Sequence, residues 1–171
     1  MLVTAFYDSP IGRMAMTADG AYITRLSFLH DKAEEPARGC KNAAMDAGFR
    51  WLDEYYAGGV PKSCPPILLK GTDFQRMVWD LLMAVPYGQT TTYGALARLI
   101  EAKTHRRMSA QAVGGAVGHN KISIFIPCHR VVGSTGSLTG YGGGLDKKIY
   151  LLTLEGADMK RFFRPVKGTA L

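Results

Sequence analysis

The chain has 171 residues, 47% hydrophobic and 20% charged, with a net charge of +7, a size that suits one domain or two small ones. No apolar run reaches the roughly 18 residues of a membrane span, and the N-terminus lacks the basic segment and apolar stretch of a signal peptide. Cys40, Cys64 and Cys128 are widely spaced and odd in number, which argues against a disulfide framework and a metal knuckle and fits a reducing cytoplasm.

The first half opens with short alternating segments. Leu2 to Tyr7, Arg13 to Thr17 and Ala21 to Phe28 read as strands, joined by a Ser9-Pro10-Ile11-Gly12 turn and an Asp19-Gly20 hairpin turn. Residues 30 to 41 are charged and loop-like. Asn42 is placed to cap a helix whose Met45, Phe49, Leu52 and Tyr56 share one face, with Gly58-Gly59 ending it. Residues 60 to 70 carry three prolines and read as a linker.

The second half is more helical. Thr72 or Asp73 caps a helix with a stripe of Phe74, Val78, Leu81, Leu82 and Val85, broken by Pro86-Tyr87-Gly88. Thr92 precedes a helix from Tyr93 to about Glu101. Lys103 to Arg107 is a basic connector, and Ser109 caps a third helix, Ala110 to Val117, stopped by Gly118. Ile122 to Ile126 reads as a strand, followed by a cysteine turn and a glycine-rich loop. Asp146 is placed to cap a last helix running to Glu155 and ending at Gly156. The expected boundaries are a sheet-and-helix domain over 1–68 and a helical domain over 69–171, an α/β (α+β) chain.

Charge follows this division. Residues 1 to 70 hold eight basic and eight acidic residues, whereas residues 71 to 171 hold thirteen basic and six acidic ones. A basic half joined to a neutral half points to a polyanion or to a solvated basic surface. The third helix is poor in helix formers: Gly114 and Gly115 are adjacent, and each costs about 1 kcal/mol against alanine. Close packing within the protein and entry into a narrow groove are the two readings of that composition.

Ile126-Pro127-Cys128-His129-Arg130-Val131 is the chemically informative run. A thiol is a nucleophile as thiolate, and a neighbouring base makes the thiolate less costly to form. Consecutive residues on a strand point to opposite faces, so Cys128 and His129 act together only if the chain turns there. Together with Val132-Gly133, the Tyr141-to-Leu145 glycine loop and the Leu154-Glu155-Gly156 helix end, the run resembles the active-site segment of the O6-alkylguanine-DNA alkyltransferases. The resemblance covers residues 72 to 156 with nearly every motif in order, and the first half in outline.

The resemblance implies a ribonuclease-H-like first domain and a second, winged-helix-like domain carrying a helix-turn-helix. It implies a repair protein that moves an alkyl group irreversibly from O6 of guanine, with O4 of thymine as a further candidate, to its own Cys128. No cofactor or metal is required. The partner is double-stranded DNA, bound from the minor groove with the damaged base flipped out, and the protein is a monomer of the cytoplasm, nucleoid-associated if bacterial.

The resemblance also assigns roles. His129, oriented by Glu155, activates Cys128 through a water, in the manner of a triad. Asn120 supports the cysteine loop, its other reading being a left-handed residue after a helix. Tyr93 contacts the purine at N3, protonates the leaving guanine and presses on the 3′ phosphate. The Val131 carbonyl meets the exocyclic amine. Tyr141, Gly142 and Gly143 cover the base, with the Gly142 N–H near O6, where the family often has serine. Gln111, Ala112, Gly114 and Gly115 face the groove, and Arg130 is grouped with the DNA contacts.

Two positions depart from the family pattern. Gln111 stands where an arginine finger usually fills the stack, and Lys121 stands where proline is common; the connector is also longer than in many relatives. A binding-only lesion-recognition relative is the alternative reading, disfavoured because such relatives replace the cysteine. A multiple-turnover cysteine hydrolase and a regulator without chemistry fit the motifs less well.

Overall fold

The computed structural model describes residues 1–29 and 40–166. The charged loop expected over residues 30 to 41 therefore lies almost wholly outside the described residues. The chain divides into two compact units, Met1–Lys70 with Lys121–Phe125, and Gly71–Asn120 with Ile126–Leu171.

The first unit is an antiparallel sheet of β1 (Leu2–Ser9), β2 (Gly12–Asp19) and β3 (Tyr22–Phe28), in that order, with helix α1 (Ala43–Tyr56). Alternation along β2 sends Met14, Met16 and Ala18 into the core. They meet Ile23 and Leu26 of β3 and Met45, Leu52 and Tyr55 of α1, all fully buried. Asn42 does cap α1: its side chain accepts from the Met45 N–H at 3.0 Å and donates to the Gly20 carbonyl at 2.8 Å. The helix lies close to the sheet at Gly48, where a Cβ would come within 2.8 Å of Ile23 and Met16.

Two stretches differ from expectation. Within 60–70, the Ile23 N–H donates to Pro66 O and the Leu68 N–H to Ile23 O, both at 2.8 Å, so this linker covers part of the outer edge of β3. Residues 122–126 do not form a strand. Ile122 makes one bridge with Leu26, and Ile124 then takes φ 72°, a left-handed conformation that ends pairing and turns the chain.

The second unit contains α2 (Asp73–Met83), α3 (Tyr93–Thr104), α4 (Ala110–Gly118) and α5 (Leu145–Leu154), with a parallel pair of two-residue strands, β4 (Thr91–Thr92) and β5 (Val131–Val132). Thr72 and Gln75 form a capping box on α2. Within its expected stripe Val78 and Leu82 are buried, and Trp79 joins them. The indole N–H of Trp79 donates to the Ala116 carbonyl at 2.9 Å, tying α2 to α4. Helix α3 runs three residues past Glu101 and is capped by His105 at φ 55°. Asp146 does not cap α5. Gly144, at φ 96°, holds the cap position, and Asp146 accepts from Arg164 Nη2 at 2.6 Å.

Candidate active site

A tight turn creates the site. The Cys128 N–H donates to Ile126 O at 2.8 Å, and Cys128–Arg130 form a single 3-10 turn. Neighbours on such a turn are not held to opposite faces, which removes the objection that a strand would raise. The Asn120 amide nitrogen donates to Ile126 O at 2.9 Å and to Cys128 Sγ at 3.1 Å. Asn120 is not left-handed; among the described non-glycine residues that conformation belongs to His105 and Ile124.

His129 is fully buried, and its Nε2 lies 2.7 Å from Glu155 Oε1. Glu155 Oε1 also accepts from Arg130 Nη2 at 2.9 Å, while Oε2 accepts from Arg130 Nε at 2.8 Å and from the Gly88 N–H at 3.2 Å. Burial pushes the Glu155 carboxyl up, but the hydrogen bonds and charges of His129 and Arg130 outweigh it and bring the group down to about 2. An ionised carboxylate only accepts, so Nε2 carries the imidazole proton and Nδ1 is the basic nitrogen. Burial, aided by the Arg130 and Lys148 charges, lowers His129 below the ordinary imidazole range. At neutral pH the imidazole is an uncharged base.

Arg130, grouped above with the DNA contacts, is instead an internal residue. It is 9% exposed, and besides Glu155 it donates to Val85 O at 2.6 Å. Its guanidinium neutralises Glu155, so the carboxylate does not require a charged imidazole as its counterion.

Burial pushes the Cys128 thiol up, while the Asn120 hydrogen bond and the Lys148 charge pull it back. Lys148 is a site residue that sequence reasoning missed. It is fully buried, its Nζ donating to Val131 O at 2.5 Å and to Thr139 O at 2.6 Å. Burial lowers this ammonium to about 8. The Val131 carbonyl assigned to a purine amine is therefore already hydrogen-bonded, with its second lone pair as remaining capacity.

Tyr93 opens α3 and is buried; its hydroxyl donates to the same Thr139 carbonyl at 3.4 Å, and burial pushes the phenol up to about 12. Gly140, also missed by sequence reasoning, sits against it: a Cβ there would lie 2.6 Å from Tyr93 Oη. The Tyr141 ring meets His129 edge-on at 6.4 Å. Gly142 is exposed and Gly143 half-buried.

Helix α4 answers its glycine puzzle by faces. Gln111, Ala112, Gly115 and Gly118 are exposed, and a Cβ at Gly115 or Gly118 would meet nothing within 4 Å. No packing among the described residues demands those two glycines. Gly114, expected to face a groove, is buried with Val113, Ala116 and Val117. Gln111, Ala110, Tyr93, Gly94 and Ser134 line a cavity of about 480 Å³, and Cys128, 8% exposed, lies outside that lining. No three His, Cys, Asp or Glu side chains gather as metal ligands, and no helix is long and apolar enough to cross a membrane, among the described residues.

A buried histidine–glutamate pair beside a cysteine, in a unit whose helix-turn-helix presents a small exposed face, defines a protein of cysteine chemistry with a helix of small, exposed side chains. Residues 73–157 match the 6-O-methylguanine DNA methyltransferase DNA binding domain, and residues 2–63 match that family's ribonuclease-like domain. A methylated-DNA–protein-cysteine methyltransferase of Mycobacterium bovis is 43% identical over 86% of this chain and 88% of its own. One from Methanosarcina acetivorans is 38% identical over 90% and 97%. The crystal structure of Mycobacterium tuberculosis O6-methylguanine methyltransferase superposes with a TM-score of 0.78 at 38% identity, covering 98% of this chain and 97% of that one. A Mycobacterium tuberculosis relative solved in complex with DNA gives 0.76 at 39% identity, covering 94% of each. The chain belongs to the 6-O-methylguanine DNA methyltransferase family.

Proposed function

We propose that the chain repairs DNA by taking an alkyl group from O6 of guanine onto Cys128, once per molecule. The observation that carries this is the turn that sets Cys128 Sγ against Asn120 while His129, its neighbour, is oriented by Glu155 and kept neutral by burial, with the Arg130 charge offsetting the carboxylate.

The thiol proton leaves toward His129 Nδ1, directly or through a water. The sulfur then forms a bond to the alkyl carbon as the carbon–O6 bond breaks, and guanine departs with that electron pair and takes up a proton. With its phenol at about 12, Tyr93 serves as a hydrogen-bond donor to the departing purine, easing its negative charge. Asn120 and the Lys148 ammonium stabilise the sulfur anion while it forms. A thioether is not hydrolysed, so the protein is consumed. This chemistry needs no cofactor, since the cysteine is the acceptor.

The exposed small face of α4, with Gln111 at its first turn, is the surface offered to the minor groove. A damaged base would leave the stack at a cost of a few kcal/mol, less when it is mispaired. Tyr141 to Gly143 would cover it. The protein is assigned to the cytoplasm as a monomer.

Titration of a duplex carrying O6-methylguanine tests the stoichiometry. Repaired lesion should rise in proportion to protein and stop at one equivalent. Turnover beyond one equivalent points to a hydrolase, and tight binding with no lesion loss points to the binding-only reading.

A further inference from the structure

Glu101 is the single acidic residue between Asp80 and Asp146. It sits in the last turn of α3, where the helix dipole disfavours a carboxylate, beside the basic connector. Its position is explained by what it holds. The Glu101 carbonyl accepts from the His105 N–H at 2.8 Å, and its carboxylate Oε1 accepts from the Met108 N–H at 2.7 Å. One residue thus anchors both ends of the segment from His105 to Met108. The left-handed His105 starts the arch, and Ser109, capping α4 through the Ala112 N–H at 3.1 Å, follows it. Lys103, His105, Arg106 and Arg107 are exposed.

We propose that Glu101 is a positioning residue: it fixes an arch that presents Arg106 and Arg107 to a nucleic-acid phosphodiester beyond the face of α4. The inference rests on the DNA-binding reading above. An ordered arch loses less conformational entropy on binding than a slack one, and each phosphate contact releases counterions.

The test separates this role from plain electrostatics. A carboxylate near a polyanion repels it, so charge alone predicts that Glu101→Ala and Glu101→Gln both tighten DNA binding. The arch predicts opposite signs. Glu101→Gln keeps a carbonyl oxygen for the Met108 N–H and should bind an undamaged duplex at least as tightly as the native chain. Glu101→Ala should bind about tenfold more weakly, with the slope of log K against log salt shallower by about 0.9 for each phosphate that is no longer neutralised. Methyl transfer from free O6-methylguanosine, which lacks flanking phosphates, should be unchanged in both.

Alanine binding as tightly as the native chain, or with an unchanged slope, overturns the proposal. If Glu101→Ala does not fold, the Arg106→Ala/Arg107→Ala pair in the intact arch decides: an unchanged slope overturns it. A native chain with no affinity for duplex DNA overturns instead the repair reading beneath it.

Discussion

Arg130 grips Glu155 with two hydrogen bonds, Nε to Oε2 at 2.8 Å and Nη2 to Oε1 at 2.9 Å, and its charge opposes the pull of that carboxylate toward a protonated His129, leaving burial to lower the imidazole. Replacing Arg130 with leucine would leave the buried carboxylate with the imidazole as its principal partner. The His129 pKa should then rise. Alkyl transfer by the native chain should fall on acidification only below the ordinary imidazole range, whereas in Arg130→Leu the acid limb should move to higher pH. Because one member of a buried pair is removed, a stability loss of about 3–5 kcal/mol should accompany the shift. Single-turnover rates from pH 5 to 8, with urea unfolding, check both.

Lys148 links the thiol to alkaline pH. Lys148→Met removes the buried cation that favours the Cys128 thiolate, so iodoacetamide alkylation of Cys128 should require higher pH and methyl transfer should slow by about ten- to a hundredfold. Stability follows a definite sign. The folded pKa of about 8 lies below the ordinary 10.5, so across that window the unfolded chain holds the extra proton. The lysine's contribution to stability should therefore increase as pH rises from about 8 toward 10.5, and the difference between native and Lys148→Met unfolding should show it.

Gly140 and Tyr93 should be energetically coupled. Gly140→Ala places a Cβ 2.6 Å from Tyr93 Oη, on a backbone with φ 69°. The backbone strain alone is about 1 kcal/mol or more, and the oxygen adds a clash. In a Tyr93→Phe background the clash disappears, the next contact being the ring carbon at 3.7 Å. A double-mutant cycle on stability should give a coupling of about 0.5–3 kcal/mol; strict additivity would show that the two do not press on each other.

Gln111 brings no charge to the first turn of α4. Gln111→Arg should bind duplex DNA more tightly, with a salt slope steeper by up to about 0.9. Anisotropy titrations at several salt concentrations measure this, and equal slopes would remove Gln111 from the interface.

Three strands and most caps followed from local chemistry. Asn42 and Ser109 accept a backbone N–H where the sequence placed a cap, Thr72 does so rather than Asp73, and Thr92, read only as preceding its helix, does so too; the cap expected of Asp146 is held by Gly144. Features set by distant partners were not legible. Lys148 follows Lys147 in an amphipathic helix and reads as a solvated charge; only the fold brings it under Val131 and Thr139. Arg130 reads as a DNA contact until Glu155, 25 residues on, is found beside it. Ile122 to Ile126 has strand composition, and nothing local announces that Ile124 turns left-handed. The cysteine run was legible through its family resemblance, but the polarity of the histidine–glutamate pair depends on the arginine between them.

Isotope-labelled methyl transfer tests the central claim most directly. The chain is incubated with a duplex bearing O6-[13C]methylguanine, digested, and its peptides are weighed. The account predicts one labelled methyl, carried by the peptide containing Cys128, and no label in Cys128→Ala. Label on Cys40 or Cys64, or a Cys128 peptide of unaltered mass after prolonged contact with excess lesion, would contradict it.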